Sequence, residues 1–289
     1  MKKKSILFTI PAFLIYTVLM IVPIIGAFLL SFTDWNGISA TYNITGVKNY
    51  LDMLSDQRLR NAVFVTLKIT VVVAVTVNVL GLLIAMMLNR AGRMTNVFRS
   101  IFFLPYVLST VAISFIWLAI LSYTGVFNSL LNMVGLENVV ADYIGNANNA
   151  IWSICIIEIW RLLGFHMVLY LASIQTVPQS LYEACTMDGG NRWHQFRYVT
   201  LPMIAPTTFF LLIIITISSM QAYDQIKVLT NGGPMGATRT LLYYYYTEAF
   251  GAFNTGKASA VAVVLVLLTV LLSVVESAVS KLSMENQNA

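Results

Sequence analysis

Residues 173–202 read SIQTVPQSLYEACTMDGGNRWHQFRYVTLP and stand between two apolar runs, near 150–172 and 203–222. Each run is long enough to cross a hydrocarbon core of about 30 Å as a helix. Because no water inside a bilayer can satisfy backbone groups, helices are the expected form, so the loop connects two membrane spans of an all-α membrane protein. Within it, Pro178 can open a helix at its first turn. From there Leu181, Ala184 and Cys185 share one face, while Tyr182, Glu183 and Met187 point elsewhere. After about three turns Gly189 and Gly190 can take positive φ and stop the helix. A second helical stretch then carries Trp193, Phe196 and Val199 on a common stripe before Leu201 and Pro202, where Pro marks the start of the next span.

Outward from this loop, six runs of spanning length appear, near 6–31, 62–88, 101–121, 150–172, 203–222 and 258–276. The 289-residue composition agrees, with 58% hydrophobic and only 10% charged residues and a mean hydropathy of +0.78. The alternation of a membrane barrel is missing. The first run follows Lys2, Lys3 and Lys4; its length and the lack of a clean small-x-small site favour a retained helix over a cleaved signal. Lys2 to Lys4, Arg90, Arg93, Arg99, Arg192, Arg197 and Lys281 fall on one side of this topology in short segments, which predicts that both termini are cytoplasmic. The outer loops, 32–61, 122–149 and 223–257, are too short for a separate folded domain. The expected organisation is one membrane domain over 1–289, with an N-terminal span at 6–31, core spans within 62–276 and the cytoplasmic loop at 173–202.

The net charge of +5 fits this inside bias, and no basic stripe interleaved with aromatics points to nucleic acid. Cys155 falls in a span and Cys185 in a cytoplasmic loop, so no disulfide or thiolate metal site is expected. Ionisable groups inside spans cost about 2.5–3.5 kcal/mol each at the bilayer centre, so they pair or line a polar path. Glu158 and Arg161, at i and i+3 in the fourth span, can neutralise each other or touch a substrate; both readings stay open. His166 has no second ligand at useful spacing and reads as a packed helix residue. The outer end of the fifth span, with Ser218, Ser219, Gln221, Tyr223 and Asp224, offers hydrogen-bonding groups and an aromatic face. Small polar residues also serve close helix packing, which makes Tyr223 and Asp224 the stronger candidates there. The Tyr243–Tyr246 run reads as an interfacial aromatic belt.

The first helix of the 173–202 loop presents small residues beside Glu183 and lacks a Lys-rich face, which suits a partner's groove better than a lipid surface. The loop resembles the cytoplasmic signature of ABC-importer permeases: Glu-Ala-Ala, three residues, Gly, nine residues, Ile, one residue, Leu-Pro. Glu183, Ala184, Gly189, Leu201 and Pro202 match it, with Cys185 for Ala and Val199 for Ile. SFTDWNG at 31–37, Trp160-Arg161, Gly164-Phe165, Asp188-Gly189 with Trp193 and Phe196, and TNGGP at 230–234 are similar to the MalF-type carbohydrate branch; Gly190 departs from its usual Ala. The resemblance implies a type I importer permease in the bacterial cell membrane. It implies a second, MalG-type permease, two ATP-binding subunits holding ATP and Mg, an extracytoplasmic sugar-binding protein and a carbohydrate substrate. It also implies ATPase coupling through Glu183, Ala184, Cys185, Asp188, Gly189, Leu201 and Pro202, and no cofactor on this chain.

Independently, no G-x-x-x-x-G-K-S/T phosphate loop occurs in the chain. A secondary transporter would bring inverted repeats and an intramembrane acidic relay, and a membrane enzyme would assemble a nucleophile or metal cluster; neither pattern is present. Sugars of different length and a polyol phosphate remain equally open as substrates.

Overall fold

The computed structural model describes residues 2–89 and 95–288, with side chains over 9–89 and 95–281. Arg90 and Arg93, and the side chains of Lys2, Lys3 and Lys4, lie outside the described residues. In chain order the helices are α1 Lys2–Tyr16, α2 Val22–Leu30, α3 Lys48–Ser55, α4 Gln57–Leu88, α5 Thr95–Val107, α6 Thr110–Leu121 and α7 Val126–Met133. They continue with α8 Ala147–Gln175, α9 Gln179–Met187, α10 Arg192–His194, α11 Leu201–Met220, α12 Asp224–Leu229, α13 Leu241–Tyr246 and α14 Thr255–Asn288. An isolated bridge between Thr33 and Ile44 accompanies them.

Six helical stretches are long and apolar enough to cross a membrane: Thr9–Leu30, Gln57–Leu88, Thr110–Met133, Ala147–Gln175, Arg192–Leu229 and Thr255–Lys281. Two boundaries correct the sequence reading. The apolar run at 101–121 is not one helix: α5 ends at Val107 and Ser109 is extended, with ψ 129°, before α6 begins. Pro105 lies inside α5 and removes one backbone donor toward the preceding turn, and the break itself falls after it, at Leu108 and Ser109. The fifth run, in contrast, has no boundary at Pro202. Residues 192–220 are helical throughout, with a wide, i→i+5 turn at Gln195–Thr200 that leads into α11. A similar wide turn at Thr17–Ile21 precedes Pro23. In both places the carbonyl four residues before the proline, that of Tyr198 or Leu19, falls inside the widened turn, which relieves the ring's clash with it.

The chain divides into two compact units. One comprises residues 1–60 and 241–268. Here Asn49 Nδ2 donates to the carbonyls of Ser31 at 2.9 Å and Thr33 at 2.8 Å, ordering the loop after α2. A Cβ at Gly256 would overlap the Thr33 carbonyl, so glycine is needed for this approach. No residue of Thr9–Leu30 is buried, as expected of a helix that lies against lipid or another chain.

The other unit comprises residues 61–240 and 269–289. Its core includes Ala85, Met167, Tyr170, Leu171, Ile204 and Leu211. Tyr170 Oη donates to Asn78 Oδ1 at 2.8 Å, tying α8 to α4. The backbone of α5 meets α8 at Gly164, where a Cβ would collide with the Phe102 carbonyl. Small residues permit such close packing between membrane helices.

Candidate functional site

Two places gather the residues that the sequence singles out. The first is the loop at 173–202. Pro178 is extended, with ψ 130°, immediately before α9, and two residues after α9 ends at Met187 the chain turns at Gly189 with φ +80°. Left-handed backbone there is what glycine tolerates and β-branched residues resist. Gly190 does not share this conformation. It is required for space: a Cβ would meet the carbonyl oxygen of Cys185 at 2.6 Å, and Gly190 N–H donates to that same oxygen at 2.8 Å.

The inward face of α9 differs from the expected one. Tyr182 and Cys185 pack against the core, and Tyr182 Oη lies 3.0 Å from Thr200 Oγ1, whereas Leu181 is exposed. Tyr182 carries a ring and a hydroxyl that a small residue cannot replace in this role, so it anchors the helix to the widened turn at Gln195–Thr200. Glu183, Ala184, Asp188 and Gly189 are left exposed, Cys185 half-buried, and Leu201 and Pro202 half-buried at the start of α11. A cavity of about 920 Å³ lies beside α9, with Gln175, Tyr182, Glu183, Arg192 and Gln195 in its wall. Of the expected stripe, Val199 is buried, Phe196 half-buried and Trp193 exposed, because the wide turn rotates the later residues away from an α-helical register.

The second place is within the spans. Arg161 donates to Glu158 through Nε at 3.0 Å and Nη2 at 2.6 Å, a two-pronged pair with Glu158 almost fully buried. Gln225, which the sequence reading passed over, completes it by donating from Nε2 to Glu158 Oε2 at 2.7 Å. Gln225 sits on α12, offset from α11 by a non-helical step at Gln221–Tyr223. Helix interruptions at membrane depth occur where the backbone is shielded by protein or lines a polar cavity. Asp224 opens α12 and is exposed, Tyr223 is half-buried, and Ser218 is exposed. Ser219 is fully buried, and its hydroxyl is among the buried polar atoms with no hydrogen-bond partner. His166 Nδ1 is 3.2 Å from the Leu162 carbonyl in the packed interior. No group of three or more His, Cys, Asp or Glu that could hold a metal gathers among the described residues.

A third cluster had no sequence counterpart. Asp56 Oδ2 accepts from Tyr244 Oη at 2.7 Å and Lys257 Nζ at 2.9 Å, and Lys257 lies 3.6 Å from Glu248. Asp56 Oδ1 also accepts from the Arg58 N–H at 2.8 Å at the start of α4. Burial alone would raise the Asp56 carboxyl, but the hydrogen bonds from Lys257 and Tyr244 outweigh it and hold it well below the usual carboxylate range. Burial, with the hydrogen bond to Asp56, pushes the Tyr244 hydroxyl upward. Tyr243 and Tyr244 are therefore buried and not part of an interfacial belt; the carboxylate needs Tyr244 as a donor.

Comparison with known proteins places this chain among transport proteins. The family described as binding-protein-dependent transport system inner membrane component matches residues 77–282. The probable starch degradation products transport system permease protein AmyD of Thermoanaerobacterium thermosulfurigenes is 33% identical over 270 residues, covering 93% of this chain and 91% of that protein. The trehalose/maltose transport system permease protein MalF of Thermococcus litoralis is 31% identical, covering 92% of this chain and 90% of its own length. Among solved structures, a chain of a bacterial alginate ABC transporter, in complex with an alginate pentasaccharide-bound periplasmic protein, superposes with a TM-score of 0.84 at 21% identity. That match covers 98% of this chain and 96% of the other, and it establishes likeness of fold.

Proposed function

From the premise that this chain belongs to the binding-protein-dependent transport system inner membrane component family, we propose that it is one of two permease subunits of an ATP-driven carbohydrate importer. The substrate class is taken from relatives named for starch degradation products and for trehalose and maltose. The partners in this reading are a MalG-type permease, two ATP-binding subunits that hold ATP and Mg, and an extracytoplasmic sugar-binding protein. Both termini face the cytoplasm, and this chain itself binds no nucleotide.

The observation that carries the reading is α9, a short helix that leaves Glu183 and Ala184 exposed and is stopped by left-handed Gly189. Anchored from behind by Tyr182, it can pass a push from a docked ATPase to Thr200 and thence to α11. A loaded binding protein docks on the outer loops, ATP closes the ATPases, and α9 transmits that closure so that the pathway opens outward. Glu158, Arg161, Ser218, Ser219, Tyr223 and Asp224 lie along the proposed path, with the Glu158–Arg161 pair fixed by Gln225. The test is reconstitution of the four-part complex in vesicles. Sugar uptake should require ATP, the binding protein and the ATPase together, and ATP hydrolysis by this purified chain alone would remove the reading.

A further inference from the structure

Over residues 150–171 of α8 the exposed side chains are Trp152, Ile156 and Trp160, at 47%, 60% and 40%, and the others are buried or half-buried. Their spacing of i, i+4 and i+8 makes one strip about 12 Å long. At its far end Trp160 packs edge-on against Trp117, with ring centroids 5.6 Å apart, beside Arg161. At its near end the Lys68 ammonium sits 4.6 Å from the centre of the Trp152 ring. Lys68 lies eleven residues inside the helix that begins at Gln57, about 16 Å along it at 1.5 Å per residue. Among the described residues it has no carboxylate within salt-bridge distance, and the Trp152 ring is its partner.

A cation inside a span needs more than a ring face, since a cation–π contact contributes only about 0.5–2 kcal/mol, and ionisable residues within spans characteristically pair with one another or line a water-filled path. Against an aqueous path the cost falls, and an anionic group arriving along that path pairs with the ammonium. Indole faces present flat apolar surface to the C–H face of a sugar ring, and the ammonium adds three donors. Lys68 stays available for this because the buried carboxylate of Glu158 is already engaged by Arg161. We propose that Lys68 and Trp152 form a selectivity site on the translocation path for a carbohydrate that bears an acidic group, a carboxylate or a phosphate. This rests on the importer reading and narrows its substrate class.

The experiment uses the full complex in vesicles of zwitterionic lipid, with a neutral trisaccharide and a uronic-acid trisaccharide as probes of uptake and of stimulated ATP hydrolysis. The wild type should respond to the acidic probe, and Lys68→Met should lower that response about tenfold or more, the worth of one charge-assisted hydrogen bond. Lys68→Arg should retain it, and the response to the neutral probe should be equal in all three proteins. Lys68→Gln serves as a second neutral variant should Lys68→Met assemble poorly. A wild-type complex that answers the neutral probe alone overturns the proposal while leaving the importer reading standing. So does equal loss of both probes in Lys68→Met, or a loss that appears only when anionic lipid is added, which would assign the cation to a lipid headgroup. Silence of the wild type toward both probes also overturns this proposal, and the importer reading stands or falls on its own uptake test.

Discussion

Gln225 donates to the same carboxylate oxygen of Glu158 that receives Arg161 Nε, although 67 residues separate it from that glutamate. Glu158 is thereby held by three donor atoms, and its charge is matched where water is scarce. Removing one partner of a buried ion pair strands the other, at a cost of about 3–5 kcal/mol, whereas removing both is far milder. Glu158→Ala is therefore expected to destabilise the purified complex more than the double change Glu158→Ala with Arg161→Ala. Gln225→Leu should cost less than the single, about 1.5–3 kcal/mol, since the pair survives it. Thermal unfolding in detergent measures all three. Equal stability of the single and double variants, with equal loss of transport, would argue that each residue acts directly on substrate.

The Asp56 cluster predicts a pH dependence with a definite sign. Its folded carboxyl releases its proton more readily than the unfolded one, so the stability it contributes is fully present above the unfolded value of about 4. That contribution declines as pH falls below this value toward the depressed folded one. Wild type should accordingly exceed Asp56→Asn in melting temperature by a constant margin between pH 5 and 8, a margin that narrows below about pH 4. A margin unchanged down to pH 3, or one that widened on acidification, would contradict the hydrogen bonds from Lys257 and Tyr244.

Local grammar made the membrane class and the α9 loop legible: apolar runs of spanning length, Pro178 before a helix and Gly189 after it act within a few residues of themselves. Gln225 was illegible because its importance lies in meeting Glu158 on another helix. Tyr244 was misread for a similar reason, since a tyrosine run has the composition of an interfacial belt and only Asp56, brought from far along the chain, makes it a buried donor. The split of the 101–121 run at Leu108 and Ser109 was hidden by an apolar count that continues on both sides of it. Tyr182 shows the limit of helical periodicity in a short helix: nine residues allow several apolar faces, and the core chooses among them.

Gly164 provides a test of packing that is independent of transport chemistry. A methyl group there would push into the Phe102 backbone, and backbone cannot swing aside as a side chain can. Gly164→Ala should therefore destabilise at or beyond the usual range for overpacking, about 1–3 kcal/mol. Gly26→Ala, within α2, is the matched control: its added methyl has no neighbour within 4 Å, and alanine is the better helix former by about 1 kcal/mol. Melting temperatures of the two variants should move in opposite directions, or the control should not move. Equal tolerance of both would mean that α5 and α8 do not approach as closely as described.

The α9 loop carries the proposed coupling, so changes there should separate docking from sugar recognition. Glu183→Lys reverses the charge and Ala184→Asp adds one on the exposed face, while neither removes the Tyr182 and Cys185 contacts that anchor the helix. Gly189→Val acts differently: the site has open space around it, so bulk is not the obstacle. Valine must instead take φ near +80°, at a cost of at least about 1–2 kcal/mol for a residue with a Cβ, or let the chain leave α9 in another direction. All three variants are expected to abolish uptake and binding-protein-stimulated ATP hydrolysis, with sugar binding by the external protein unaffected. Gln179→Ala, exposed at the other end of α9, should leave both activities close to wild type. Co-purification then divides the mechanisms, since Glu183→Lys and Ala184→Asp should lose the ATPase from the complex, whereas Gly189→Val can retain it in an uncoupled form. If all three kept the ATPase and normal stimulated hydrolysis, α9 would not be the coupling element, and the proposed route from ATPase through Tyr182 to Thr200 and α11 would have to be abandoned.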